Sequence, residues 1–144
     1  MLNGIPKILP PDLVKVLMEM GHGDEIVISD GNFPAATYGQ RVVRCDGHGV
    51  PELLDAILTL FPLDTYGDEA PVSLMEVVPG DTVKTPIWEE FRKVAKKHSS
   101  EFKDFNFIER FEFYERSKKS FAVVATGEEA LYANILLRKG VVTD

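Results

Sequence analysis

The side chains suited to proton chemistry form a short, scattered set. His22 stands between two glycines in M-G-H-G-D-E-I-V-I-S-D-G-N-F-P, Met20 to Pro34. Histidine is the side chain best suited to give or take a proton under ordinary conditions. Asp30 closes the apolar run that follows, and carboxyl ends of strands commonly line ligand crevices. A second G-H-G, Gly47 to Gly49, puts His48 in a similar glycine turn. Arg110 and Tyr114 are four residues apart and share one face if their segment is helical. A guanidinium and a phenol placed so can grip hydroxyl groups. Tyr132 and Asn134 flank Ala133 in a turn, and both side chains donate and accept hydrogen bonds. Each residue also has a plainer role. The histidines and Asp30 suit glycine turns, Arg110 suits a solvated surface over a packed Tyr114, and Tyr132-Ala133-Asn134 suits an ordinary turn.

Several chemistries lose weight. Asp24 and Glu25 lie close to His22, but H-x-x-x-H, C-x-x-C and H-E-x-x-H are absent, so no metal centre is expected. G-x-G-x-x-G, G-x-x-x-x-G-K-[ST] and G-x-S-x-G are also absent. The remaining His, Asp, Arg, Tyr and Asn fit proton transfer on a neutral, hydroxyl-rich ligand without a cofactor.

The elements that must position them can be read from periodicity. Leu13, Val16, Leu17 and Met20 mark an amphipathic helix after Pro10-Pro11, with Gly21 as its stop. Pro51–Phe61 carries a broad apolar stripe and is a second helix, with Pro51 in its first turn. Ile87–Lys97 is a third, with Trp88, Phe91 and Val94 or Ala95 facing inward. Glu109–Lys119 is more ambiguous. Phe111 and Phe113 alternate as in a strand, whereas Phe107, Phe111, Tyr114 and Lys118 keep helical spacing, and the charge content favours helix. Strands are expected at Glu25–Ser29, Arg41–Cys45, Val72–Val78, Phe121–Thr126 and Ile135–Lys139. Helices alternating with buried strands give an α/β class, a single domain over residues 1–144 with a central, mostly parallel sheet flanked by helices. The segments from Asp64 to Pro71 and from Gly80 to Pro86 are loops long enough to be functional.

Composition sets the remaining bounds. The chain has 144 residues, 44% hydrophobic and 27% charged, as in ordinary globular domains. Its 23 acidic and 16 basic residues leave a net charge of −7, which repels phosphate backbones and argues against nucleic-acid binding. The single Cys45 cannot form an internal disulfide, which suits a reducing compartment. The start of the chain lacks the basic-then-apolar order of a signal peptide, and no apolar run reaches the ~18 residues of a membrane span. A cytoplasmic protein without membrane contact is expected.

The scatter acquires a pattern in longer stretches. M-G-H-G-D-E-I-V-I-S-D-G-N-F-P, L-D-T-Y from Leu63 to Tyr66, I-E-R-F-E-F-Y-E-R-S-K-K-S-F-A-V-V-A-T-G-E from Ile108 to Glu128, and L-Y-A-N-I-L-L-R-K-G-V from Leu131 to Val141 follow one another in order. Together they resemble the fucose mutarotase and ribose pyranase family, and F-E-F-Y-E-R resembles its fucose branch. The likeness is collinear from Gly4 to Val141. It implies an isomerase that interconverts the α and β anomers of L-fucose without metal or organic cofactor. His22 then takes the place of the general acid. Asp64, in L-D-T-Y, takes that of a second catalytic group, with water as the alternative counter-base. Asp30, Arg110, Tyr114, Tyr132 and Asn134 take those of the sugar-binding residues, and His48 matches none. Ala133 stands where the family usually has glycine, and its methyl is expected to tighten the pocket. The resemblance further implies a ring-type homo-oligomer, often a decamer of two pentamers, with sites shared between neighbours. Pyranose–furanose exchange on ribose and non-catalytic sugar binding are the competing readings.

Overall fold

A computed structural model describes residues 1–143. Among them, helices and strands run in the order α1 (Pro11–Glu19), β1 (Glu25–Ser29), α2 (Ala35–Tyr38), β2 (Val42–Cys45), α3 (Val50–Leu60), β3 (Val72–Met75), α4 (Ile87–His98), β4 (Asn106–Ile108), α5 (Arg110–Lys119), β5 (Ala122–Thr126) and β6 (Ile135–Arg138). The six strands form one sheet in the order β2-β5-β1-β6-β3-β4. Strand β6 is antiparallel to β1 and to β3, and the other pairings are parallel. Five strands therefore share one direction, and β6 alone returns against them.

Alternation along the strands divides the core between the two faces of the sheet. Ile26, Ile28, Val124, Ile135 and Leu137 point to one face, where Leu13, Leu53, Leu54, Ile57 and Phe91 of α1, α3 and α4 cover them. Val27, Val123, Ala125 and Leu136 point to the other, where Phe33, Ala35 and Phe113 of the α2 region and α5 cover them. Strands β1 and β5 are covered on both sides and read as nearly continuous apolar runs. Complete burial of Phe91 and of Phe113 contributes roughly 1.5–3 kcal/mol each.

The helix boundaries have local causes. Pro11 at the first position of α1 supplies the fixed backbone angle that a helix start needs. The helix ends at Met20, whose backbone is extended and whose N–H donates to the Val16 carbonyl. Gly21 follows that stop rather than making it. The glycine that a left-handed backbone requires is Gly23, at φ +87°. At the start of α3, the Glu52 carboxylate accepts the Gly49 N–H at 3.1 Å. At the start of α5, the Glu109 carboxylate accepts the N–H groups of Phe111 and Glu112 at 2.9 and 3.0 Å. Such caps satisfy N–H groups that have no partner inside the helix.

Two elements escaped the periodicity. Helix α2 has only four residues, too few to show a period. Strand β4 has three and lies at the sheet edge, so Phe107 belongs to a strand and not to the helical stripe of α5. Trp88 packs on that exposed Phe107 at 5.4 Å, while Ile87 and Ala95 join Phe91 on the buried side of α4.

The loop carrying the second G-H-G is docked on the turn after β5. Gly127 N–H donates to the His48 carbonyl at 3.0 Å, and a Cβ added at Gly127 would lie 2.1 Å from the Asp46 carbonyl oxygen. A Cβ added at Gly47 would meet nothing within 4 Å. Gly127→Ala should therefore cost about 1–3 kcal/mol in urea unfolding through backbone displacement. Gly47→Ala should stay within about 0.5 kcal/mol of the parent. Equal midpoints for the two variants would contradict this docking.

Candidate active site

The candidate residues fall into two groups, one at each end of the sheet. Asp30, Arg110, Tyr114, Tyr132 and Asn134 gather at the carboxyl ends of the parallel strands. The chain leaves β1 at Asp30, leaves β4 at Arg110, and enters β6 from Tyr132 and Asn134. Asp30 N–H donates to Asn134 Oδ1 at 2.8 Å across the β1–β6 boundary. The Asp30 carboxylate accepts the Asn32 N–H at 3.0 Å and the Ala133 N–H at 3.3 Å, so it joins two loops and closes its own turn. Burial pushes the Asp30 carboxyl above its ordinary value, against the hydrogen bonds from Asn32, Ala133, Phe33 and Asn134. Ala133 contributes its N–H here, but its methyl joins the main apolar core. It therefore fills the interior instead of tightening a pocket.

Tyr132 has a left-handed backbone at φ +54°, a strained position for a residue other than glycine. Three bonds hold it there. Its carbonyl accepts the Trp88 indole N–H at 2.9 Å, its hydroxyl accepts the Val78 N–H at 3.3 Å, and the same hydroxyl donates to Asp81 at 3.0 Å. Val78 also lines a small cleft of about 70 Å³ with Glu76, Pro79, Glu109, Arg110 and Phe111. Arg110 is exposed and lies over the Phe111 ring at 4.6 Å. Tyr114 stacks on Tyr38 at 4.9 Å and packs on Phe33 at 5.7 Å. Among the described residues, neither the Arg110 guanidinium nor the Tyr114 hydroxyl has a hydrogen-bonding partner, so both are available to a ligand.

His22 and Asp64 meet at the other end. Gly23 N–H donates to the Lys139 carbonyl at 2.8 Å, and Asp64 N–H donates to the Arg138 carbonyl at 3.0 Å. Both segments therefore flank the chain as it leaves β6. His22 Nε2 lies 3.2 Å from Asp64 Oδ1. Asp64 also accepts the Tyr66 N–H at 3.0 Å and Arg138 Nε–H at 2.9 Å. Burial would raise the Asp64 carboxyl, but Tyr66, Arg138 and His22 together hold it below the usual carboxylate value. The imidazole side chain is 48% exposed while the carboxylate beside it is 7% exposed. Tyr66 meets the imidazole edge-on at 5.6 Å. Met18, Leu60, Val141 and Val142 are exposed apolar residues, and with His22 they border a cavity of about 570 Å³.

The two groups do not meet within one chain. From Asp24 to Asp30 the extended backbone covers roughly 20 Å, at about 3.3 Å per residue. The 70 Å³ cleft beside Arg110 is also far below the roughly 300–1,000 Å³ of enclosed ligand sites.

His48 stands apart from both groups. It contacts Glu52 at 3.0 Å, and its carbonyl anchors Gly127. Sequence reasoning assigned no role at the site to Arg138, Tyr66, Asp81, Trp88 and Glu128. Glu128 accepts N–H bonds from Val50 and Ala130 and so ties α3 to the turn before β6. The R-K pair ending β6 and the acid in T-G-E were visible, but their long-range partners were not.

Comparison with known proteins places this geometry. The chain is 51% identical to fucose mutarotase from Homo sapiens, over 97% of this chain and 94% of the human protein. The crystal structure of the fucose mutarotase from Streptococcus pneumoniae in complex with L-fucose superposes with a TM-score of 0.93 at 52% identity, covering 99% of this chain and 100% of that one. FucU from Bifidobacterium longum superposes with a TM-score of 0.94 at 58% identity, covering 98% and 100%. The family profile matches residues 3–142, and the chain belongs to the RbsD / FucU transport protein family.

Proposed function

We propose that this chain interconverts the α and β anomers of L-fucose by acid/base ring opening and reclosure, at sites completed by two copies of the chain. The observation that carries the reading is the pairing of an exposed imidazole with a buried carboxylate at one end of the sheet, and unpartnered hydroxyl-binding groups at the other. The human and pneumococcal relatives, about half identical over nearly the whole chain, support L-fucose as the substrate.

The chemistry needs two proton movements. His22 as imidazolium gives a proton to the ring oxygen while the C1–O bond of the ring breaks. Water takes the proton from the anomeric hydroxyl, and C1 becomes an aldehyde. Rotation about C1–C2 presents the other carbonyl face, and the reverse transfers close the ring. Both oxygens of Asp64 are already engaged, so its role is to orient His22, which leaves the counter-base to water. Asp30, Arg110, Tyr114, Tyr132 and Asn134 hold the sugar hydroxyls and replace bonds to water with fixed ones. A second copy brings its His22 end to that set, and the exposed apolar residues around His22 suit burial in such a contact. The assembly is a closed ring-type homo-oligomer, a decamer in its expected form, built from one sugar mutarotase domain over residues 1–144. Among the described residues no helix is long and apolar enough to cross a membrane. The free, buried Cys45 is at home in the reducing cytoplasm, where we place the reaction.

Saturation-transfer NMR on the anomeric protons of L-fucose, with D-ribose and other sugars alongside, tests the activity. Exchange should accelerate with L-fucose, and His22→Gln should lower the enzymatic rate by about a hundredfold or more. Binding without acceleration would convert the reading to a sugar-binding module, and preference for D-ribose to a pyranase.

Co-expression tests the shared site. His22→Gln and Asp30→Asn chains should each be nearly inactive alone. Random co-assembly should restore about a quarter of the normal rate, because one site in four draws both intact residues. Activity that stays at the level of the single variants would place the whole site within one chain.

The two carboxylates separate in pH. Asp30 is shifted upward, so as pH falls it takes a proton before Asp64 does. Its loss as an acceptor should raise the KM for L-fucose in a window beginning above the ordinary value of about 3.9. Binding of L-fucose to Asp30→Asn, read by ligand-observed NMR, should be weak and unchanged through that window. A flat KM in the unmodified protein would remove the ionised Asp30 from sugar binding.

A further inference from the structure

We propose that Arg138 is a positioning residue for the acid/base step: it clamps Asp64 so that the neutral His22 ring carries its proton on Nε2, leaving Nδ1 as the nitrogen that exchanges a proton with the sugar. The inference rests on the reading of His22 as the proton-transfer group.

The geometry is a relay of three side chains. Arg138 Nε–H donates to Asp64 Oδ2 at 2.9 Å, and its terminal NH2 group donates to the Glu69 carbonyl at 2.8 Å. One planar fork thus spans the loop from Asp64 to Glu69, and its rigidity fixes the plane of the carboxylate. The remaining oxygen, Oδ1, then faces Tyr66 N–H at 3.0 Å and His22 Nε2 at 3.2 Å. An ionised carboxylate only accepts hydrogen bonds. The hydrogen on the His22–Asp64 contact must therefore belong to Nε2, and a neutral ring has its lone pair on Nδ1. The edge-on Tyr66 ring limits rotation of the imidazole plane.

The loop is braced from behind. The Glu69 carboxylate accepts hydrogen bonds from Arg116 at 2.9 Å and from the Asn106 amide at 3.2 Å. Arg116 also donates to Glu25 at 2.5 Å, at the start of β1. Arg138 and Asp64 are both largely shielded, at 17% and 7% side-chain exposure, so water does not readily replace either partner.

The consequence is catalytic economy. When His22 gives its Nδ1 proton to the ring oxygen, the neutral imidazole left behind already has the tautomer that accepts a proton at Nδ1. No ring flip or tautomer exchange is needed before reclosure. The logic is that of a carboxylate orienting a histidine in other proton-transfer sites.

The test is ¹⁵N NMR of the His22 ring at a pH where it is neutral, with L-fucose exchange kinetics on the same samples. The unmodified assembly should give a protonated Nε2 and an unprotonated Nδ1. Arg138→Met should show a mixture of tautomers, and kcat should fall about ten- to a hundredfold with KM changed less than about twofold. Arg138→Lys should recover part of both, since an ammonium can still pair with Asp64 but cannot span to Glu69. Asp64→Asn is the second variant, should Arg138→Met fail to fold, and it too should show mixed tautomers. A folded Arg138→Met or Asp64→Asn protein with the normal tautomer would overturn the proposal and leave Arg138 as a loop anchor. So would an unmodified ring protonated on Nδ1. If the tautomers shift as expected but the unmodified protein does not accelerate exchange, the mutarotase reading falls and the positioning effect stands.

Discussion

Strand β6 runs backwards between β1 and β3, and both halves of the candidate site hang from its ends. Its first residues place Asn134 against Asp30, and its last, Arg138, stands against Asp64. The register that does this pairs Ile28 with Ile135 and Glu25 with Arg138. A slip of one residue would move Ile135 and Leu137 to the opposite face and turn Leu136 away from Phe113. It would also part Asn134 from Asp30 and Arg138 from Asp64. The same apolar alternation that seats β6 in the core thus sets the polar contacts at both of its ends.

The two buried carboxylates solve the cost of burial in opposite ways. Asp30 is surrounded by neutral N–H groups, and desolvation prevails, so its carboxyl is shifted toward the neutral form. Asp64 has a backbone N–H, a guanidinium and an imidazole on its oxygens, which shift it toward the charged form against its burial. Different neighbours fit the same functional group for different tasks. A carboxyl that burial shifts upward, among loop N–H groups, suits a neutral polyol whose hydroxyls can both donate and accept. A carboxylate held below its usual value by a guanidinium suits a histidine whose proton position must not wander. The net charge of −7 imposes no penalty on such a ligand, because a neutral sugar carries no charge to be repelled.

The sequence was legible where a pattern is local and repeated. Strands β1, β5 and β6 and helices α1, α3 and α4 each bury a face or a run long enough to declare its period. Helix α5 was legible from its charge content instead: of the expected stripe, Phe107 lies in β4 and Phe111 is exposed, while Phe113 and Ser117 are the buried residues. The four residues of α2 and the three of β4 are too short for that, and their positions depend on neighbours distant in sequence. The set His22, Asp30, Arg110, Tyr114, Tyr132 and Asn134 could be named from residue type, whereas its division between two ends of the sheet could not. The separation of His22 from Asp30 follows from β1, which lies between them, but the meeting of Asn134 with Asp30 and of Arg138 with Asp64 follows from the antiparallel course of β6, and nothing in I-L-L-R-K states a direction. Arg138 was hidden for a related reason. A basic residue closing an apolar strand reads as a solvated end, and its carboxylate partner lies 74 positions away. Ala133 was misread because side-chain direction in a turn is set by the strand that follows.

Shared sites would also give the exposure of His22 a purpose. An imidazole that is 48% exposed competes with water for every proton, and its contact with Asp64 is weakened by the high dielectric around it. Covering that face with a second copy would remove the water, strengthen the His22–Asp64 bond, and leave the sugar as the one acceptor within reach of Nδ1. The apolar side chains of Met18, Leu60, Val141 and Val142 supply a driving force for that contact, since each carries exposed hydrocarbon that association can bury. Arg138 and Asp64 need no such rearrangement, because they are already shielded within one chain. On that proposal the division of labour is physical: the fold would prepare the charge and tautomer of the acid, and association would supply the sugar-binding wall and the dry surroundings in which that acid can act.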